Sequence, residues 1–444
     1  MNKKMVFRLL FVFIFSLLVY LVFGFNVDNG DGFANFGFSY GLVKGEIPYL
    51  DFNTISTPLY MFYQAIFLFI CNQYIMFIIG QSILITIMFY FLFKEFDRKA
   101  YYVLLAMISL KFCGFASTYN FMCLFWFVVL MYLESKHNNK DYLIGFVIAL
   151  CSLSKHTVGL LFILPTLFFY YKDIKRIFKR AVGFIIPWII FIIYLVINKA
   201  LFRFIDLCFL GLFDFGNSNG KNISIWLILS IIMFIISIYY FIKHKNIRNL
   251  YFVFTLSFAI PIFDLPHFVF YLVCFIFMLL PTFKEINKYK LIFIIGLFIE
   301  LLVFNIAMFF RDTSIGTYAG YDHLFMKQDY KQNVKLNKEL NAIYLKNKDK
   351  NPIILSYGKT FIDIVNNNKI DYYNVFMYGN YGYHGNEKEI NKIKKMHNQY
   401  FLIDKENYNR EQKYGQFNKI IVKYVIDNSK LIEEDEYMWL YYKE

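Results

Sequence analysis

Residues 172–180 read KDIKRIFKR and residues 181–199 read AVGFIIPWIIFIIYLVINK, so five cations are followed by an apolar run whose one charge is its terminal Lys199. A helix needs roughly 20 such residues to cross the hydrocarbon core of a bilayer. A basic cluster at one end is what the cytoplasmic flank of such a helix carries. The pattern recurs along the chain. Apolar runs fall near 9–25, 74–93, 100–113, 119–134, 142–154, 158–171, 181–199, 223–242, 250–264, 268–283 and 290–310. Several are short, and these are expected to end in a cavity lined by protein. One further run, 57–71, reads either as a span or as an interfacial or re-entrant helix.

The composition fits a chain for which lipid is a solvent. Of 444 residues, 58% are hydrophobic and 18% charged. Soluble domains carry about 25% charge. Mean hydropathy is +0.45. The formal charge is +14, of which residues 1–310 hold +11 and residues 311–444 hold +3. The basic excess therefore sits in loops between apolar runs, which argues for orientation in a bilayer and against nucleic-acid binding. The six cysteines, Cys71, Cys113, Cys123, Cys151, Cys208 and Cys274, form no CxxC pair, so neither a disulfide framework nor a zinc signature is read. Lys3, Lys4 and Arg8 precede the first run, and no small-x-small cleavage site follows it, so it reads as an uncleaved span.

With the N-terminus inside and 57–71 not crossing, the inner segments carry 19 Lys and Arg and the outer segments six, namely Lys44, Lys111, Lys155, Lys199, Arg203 and Lys221. This bias predicts about eleven spans in residues 1–310, an outer loop at 26–57, and an extracytoplasmic C-terminal domain, 311–444. Counting 57–71 as a span would reverse the bias. The tail reads as a small α/β domain with helices at 328–347, 386–397 and 410–427 and strands at 352–357, 371–377, 399–404 and 436–442.

The residues able to do chemistry gather on the predicted outer face. The first loop holds Asp28-Asn-Gly-Asp31-Gly32, an aromatic stretch expected at the interface, then Gly45-Glu-Ile-Pro-Tyr-Leu-Asp51, and Thr57-Pro-Leu. Lys155 and His156 lie between two runs, as do Asp264 and His267, while Tyr119-Asn120 opens another. Charged groups at membrane depth usually face a cavity or a partner, although a lone Lys or His at a helix end also snorkels or caps. Arg203 and Lys221 read as solvated loop residues. Gly379-Asn-Tyr-Gly-Tyr-His-Gly385 reads as a tight turn without the Lys-Ser/Thr of a nucleotide-binding loop.

An outer Asp, a Gly fourteen residues on, then x-x-Pro-Tyr-x-Asp and Pro-Leu resembles the first loop of the GT-C superfamily of integral membrane glycosyltransferases. That group includes protein O-mannosyltransferases and the aminoarabinose and RgtA/B/C/D-like transferases. Asp31 fits the spacing to Gly45, whereas Asp28 would give seventeen. Leu153-Ser-Lys155-His156 and Asp264-Leu-Pro-His267 are similar to the family's Leu-x-Lys and Asp-x-x-His turns, and Tyr119-Asn120 to a Tyr-Asn of its bacterial members. The resemblance implies a polyprenyl-phosphate sugar as donor and a cell-envelope glycan, lipid or protein as extracytoplasmic acceptor. It implies Asp31, with Asp28, as the catalytic carboxylate acting as general base. It places the donor phosphate at Lys155, His156, His267 and Asp264, and the substrate pocket at Tyr119, Asn120 and Asp51. Gly32 stands where the family often has Glu, so a divalent metal, if used, would draw on Asp28 and Asp31. No other cofactor is implied.

Three other classes call for different features. A lipid-linked oligosaccharide transporter or flippase wants polar groups at the bilayer midplane and paired halves, and Glu300 is the clearest midspan charge. A polymerase or ligase wants its large outer loop late rather than early. A non-catalytic envelope assembly protein needs no early acidic loop.

Overall fold

The computed structural model describes residues 2–23, 31–109, 117–137, 139–219, 224–260, 262–284, 331–409 and 417–444. Four helical runs are long and apolar enough to cross a membrane: Tyr74–Ile108, Ile174–Ile197, Ile225–His244 and Leu265–Thr282. The first of these spans two predicted runs. Asp97, at φ 46° and ψ −127°, breaks it into helices Tyr74–Phe96 and Tyr101–Ser109. Other predicted runs form helices Lys3–Phe23, Tyr119–Lys136, Asp141–Ser154 and His156–Phe169. The last run, 290–310, and Glu300 lie outside the described residues.

The two outermost helices show the solvent they are made for. Ile174–Ile197 exposes Ile186, Ile190, Ile193 and Ile197 and turns Phe191 and Leu195 inward. Ile225–His244 exposes Ile228, Ile231, Ile232 and Ile235. Rows of exposed isoleucine this long are costly in water and neutral in lipid.

The segments read as inner loops meet at one end of the bundle. Arg8 pairs with Asp97, and Arg248 with Glu95 at 2.5 Å. Lys99 Nζ donates to the Pro281 carbonyl at 3.3 Å. Arg180, 2% exposed, donates to Glu134 at 2.5 and 3.2 Å and to Asp141 at 2.8 Å, and stacks over Tyr170. The helices it joins touch backbone to backbone. A Cβ at Gly145 would lie 1.9 Å from the Arg180 carbonyl oxygen, and one at Gly183 2.0 Å from that of Tyr142.

At the other end, the aromatic stretch after Asp31 is not spread over an interface. It forms helix Asp31–Val43, with Phe33, Phe36 and Tyr40 buried. Phe36 packs on Tyr74, and Phe33 on Phe361 of the tail. The run at 57–71 forms helix Leu59–Ile70, whose 12 residues rise only about 18 Å. That is short of a bilayer core of roughly 30 Å.

The C-terminal segment carries a four-stranded sheet: β1 (Ile353–Leu355), β2 (Gln399–Asp404), β3 (Lys430–Glu434) and β4 (Met438–Lys443), in order β1-β2-β4-β3. β1 and β2 are parallel, with Ile354 opposite Leu402, and the remaining pairs are antiparallel. The parallel crossover carries helices Lys359–Val365 and Gly385–Lys394, as parallel pairing requires. The expected strand at 371–377 is absent. Those residues form turns whose one ladder contact is a bridge from Met377 to Phe417, and β3 and helix Lys359–Val365 were not expected. The helix expected over 410–427 is seen as Lys419–Asp427, with 410–416 outside the described residues.

This segment docks on the end of the helices that carries residues 46–53 and Asp206. Asn374 Oδ1 accepts from the Asn53 N–H at 2.9 Å, and its Nδ2 donates to the Asn53 carbonyl at 3.2 Å. The Ile370 N–H donates to Glu46 at 3.0 Å. Asp206 accepts from the Tyr383 N–H at 3.1 Å and from Lys388 at 2.9 Å. Arg203, read as solvated, instead stacks on Tyr372 of the tail at 5.0 Å and pairs with Asp206 at 3.7 Å. Lys221 lies outside the described residues.

Candidate functional site

A cavity of about 320 Å³ lies where these helix ends meet the tail. That volume is within the range of small-molecule sites. Its walls come from segments far apart in sequence, and the sequence placed all the membrane-side ones on one face.

Lys155 ends helix Asp141–Ser154 in an extended conformation, φ −146° and ψ 100°, and the chain re-enters a helix at His156. The break is held by two backbone bonds: Lys155 N–H to the Cys151 carbonyl at 2.9 Å and Gly159 N–H to the Lys155 carbonyl at 2.8 Å. Gly159 permits it, because a Cβ there would lie 2.1 Å from the Ser152 nitrogen. The turn turns Lys155, His156 and Thr157 into the cavity wall. Lys155 and His156 are 6% and 4% exposed, and the imidazole packs against Phe209.

Asp264 and His267 enter from the start of helix Leu265–Leu279. Asp264 caps that helix by accepting from the His267 N–H at 3.0 Å, and the same oxygen meets His267 Nδ1 at 2.7 Å. The carboxylate thus fixes the ring, and Nε2 is left for another partner. Asp264 also feels the charge of Lys155. Lys155, His156, Asp264, His267 and Tyr119 all line the one cavity.

Two residues expected there do not line it. Asp51 accepts from the Ile47 N–H at 2.7 Å, closes a turn ahead of helix Leu59–Ile70, and is exposed. Asn120 is buried one residue beyond Tyr119 but is not part of the cavity wall. Asp28 lies outside the described residues, and of Asp31 the backbone alone is described, as the first residue of helix Asp31–Val43. Among the described residues no three or more His, Cys, Asp or Glu side chains cluster as a metal centre.

The cavity also has polar residues that sequence reasoning missed. Asn35 lines it from helix Asp31–Val43, Asn53, Thr54 and Ser56 from the loop before helix Leu59–Ile70, and Asn380 from the tail. Asn380 sits in the stretch read as a tight turn. Gly379 and Gly382, both at φ 85°, make that turn. The signal in the sequence was the pair of glycines flanking an Asn, and it did not say what the Asn would face.

No protein-family model, curated protein or solved structure matches this chain.

Proposed function

We propose that this chain is a membrane glycosyltransferase that moves a sugar from a polyprenyl-phosphate donor to a hydroxyl acceptor outside the cytoplasm. In this reading residues 1–310 cross the bilayer about eleven times from a cytoplasmic N-terminus, and 311–444 form an extracytoplasmic domain. One observation carries the proposal. A buried Lys, two His and an Asp from separate helix ends converge on one cavity at the end of the bundle opposite the predicted inner loops. A lipid-borne phosphate arriving along the bilayer presents its charge at that depth, and an ammonium with imidazoles offsets it.

The chemistry asks little more. The acceptor oxygen attacks the anomeric carbon, the bond from that carbon to the phosphate oxygen breaks, and the phosphate leaves with the electron pair. Lys155 and His156 stabilise the charge that grows on the leaving phosphate. A carboxylate takes the acceptor's proton. Asp31 is the candidate. Ala34, Asn35 and Phe38 line the cavity from its helix, and positions three, four and seven residues on share a helical face with the first. His267, held by Asp264, is placed to bind the phosphate or to steady the acceptor.

The test is transfer from radiolabelled polyprenyl-phosphate sugars by the purified protein in nanodiscs. Lys155→Met is expected to raise the donor concentration needed far more than that of the acceptor, and Lys155→Arg to be partly tolerated because charge matters more than shape at a single phosphate contact. Asp31→Asn is expected to cut turnover by about 10²–10⁴-fold with donor binding kept. No transfer from any donor, together with donor binding indifferent to Lys155→Met, would overturn the reading.

A further inference from the structure

Two amide side chains in the cavity have polar ends that the protein leaves unmatched. Asn53 is fully buried, and neither its Oδ1 nor its Nδ2 meets a hydrogen-bond partner among the described residues. Asn380 is 6% exposed, and its Oδ1 is unmatched in the same way. Both line the cavity, one from the outer loop and one from the tail. Buried polar atoms in folded proteins are nearly always satisfied, so an orphan amide that faces a cavity points to what fills it.

The backbone, not the side chain, sets both residues. Asn53 is held by its reciprocal bonds with Asn374 at 2.9 and 3.2 Å, and Asn374 is itself tied by its carbonyl to Thr360 Oγ1 at 2.9 Å. Asn380 sits between two glycines in left-handed conformation, with its N–H donating to the Met377 carbonyl at 3.3 Å. Asn53 is therefore presented to the cavity with both polar ends unspent, and Asn380 with its Oδ1 unspent. An amide offers two donors and an acceptor with no net charge. Hydroxyls on neighbouring carbons of a sugar ring offer the complement. The charged groups of the wall are otherwise engaged: Asp264 by His267, and Lys155, in the reading above, by the donor phosphate. An amino sugar would find no uncommitted carboxylate among the described lining residues, and an acidic sugar would compete with the phosphate for Lys155.

We infer that Asn53 and Asn380 form a subsite that reads the hydroxyls of an uncharged pyranose, with the outer loop and the tail supplying one wall each. This rests on the reading of the cavity as a glycosyl-transfer site, and it adds the class of sugar and a role for the tail.

The experiment measures binding to the full chain in nanodiscs. The probes are polyprenyl phosphate carrying mannose, glucose, N-acetylglucosamine or glucuronic acid, and bare polyprenyl phosphate. The wild type is expected to bind at least one neutral conjugate about tenfold or more tighter than the bare phosphate and than the glucuronic acid conjugate. Asn53→Leu and Asn380→Leu keep the volume and remove the polar ends. Each is expected to shrink that advantage by about 2–10-fold, while the bare phosphate binds as before. Asn380→Ala, which adds no bulk to the turn, repeats the measurement should either leucine variant lower the melting temperature. Lys155→Met should weaken every probe alike. Equal affinity for bare and sugar-bearing phosphate, or an unchanged advantage in the folded Asn variants, would overturn the subsite and leave the phosphate site standing. Binding of neither form would overturn the transferase reading and this inference with it.

Discussion

Gly159→Ala adds one methyl group where the structure has no room for it. The new Cβ would stand 2.1 Å from the Ser152 nitrogen and 2.3 Å from the Cys151 carbonyl carbon and the Ser152 Cα, against 3.4–4 Å for ordinary contact. The neighbours are backbone atoms, so no rotamer change relieves the clash, and the two segments must part by about 1 Å or more. Overpacking of this kind costs about 1–3 kcal/mol. The damage also falls on the site. The Lys155 carbonyl accepts from the Gly159 N–H at 2.8 Å, so the turn that carries Lys155 and His156 moves with the strain. Displacing a binding group by about 1 Å can cost 10²-fold in rate. The assay is a thermal melt in nanodiscs beside a donor titration. Gly216→Ala is the control, because a Cβ there meets nothing within 4 Å. Gly159→Ala is expected to melt lower and to bind donor poorly, and Gly216→Ala to behave as wild type. A Gly159→Ala protein with wild-type melting and donor dependence would refute the close approach and the turn's role together.

Arg180→Met should lower stability by about 3–5 kcal/mol, because it leaves Glu134 buried without its charge partner, while Asp141 keeps Arg176 at 3.3 Å. Arg180→Met with Glu134→Met should recover much of it in the same melt. Glu46 makes tail docking sensitive to pH. Burial, against the opposing Ile370 N–H bond, pushes its carboxyl up to about 7. The folded state therefore holds a proton that the unfolded chain gives up near 4.5, so stability is full below that pH and falls as pH rises towards 7. Glu46→Gln should flatten this slope in melts from pH 5 to 8 and raise the melting temperature at pH 8, and an unchanged slope would move the effect to Asp363, also raised to about 7 by burial. A reporter fused after Glu444 should be extracytoplasmic and one inserted near Arg176 cytoplasmic; the opposite result would invert the topology.

The parts of the fold that were legible are those set by local pattern. A long apolar run bounded by cations becomes a helix with few alternatives, because an unpaired backbone has no place in lipid. Ile174–Ile197 and Ile225–His244 follow directly, and the short apolar run in Gln399–Asp404 matches β2 to the residue. The misses share a different cause. Residues 371–377 have the aromatic content of a strand, yet the Asn374 carbonyl is taken by Thr360 and its side chain by the Asn53 backbone, so tertiary contact overrides propensity there. The stretch 33–40 looked interfacial because it is aromatic. It is buried because the tail covers it, and nothing within the stretch says so.

The same distinction divides the site. Lys155, His156, Asp264 and His267 stood out because a charge beside an apolar run is costly and therefore informative wherever it occurs. Asn53 and Asn380 did not, because an Asn in a polar loop is ordinary, and what makes these two unusual is long-range. Asn53 is fixed by a residue 321 positions away, and Asn380 faces the cavity only because the tail docks through Asp206 and Glu46. The charged half of the cavity was thus readable from local cost, whereas the neutral half exists only once the chain has closed on itself. If the neutral half holds the sugar, specificity lies in the part of the site that depends on tail docking, and conditions that loosen the tail should erode sugar selectivity before they erode phosphate binding. Glu46 supplies the means to see it. The preference for a neutral sugar conjugate over bare polyprenyl phosphate should fall between pH 5 and pH 8 in the wild type and hold steady in Glu46→Gln. A preference that stays level in both proteins would separate sugar recognition from docking of the tail.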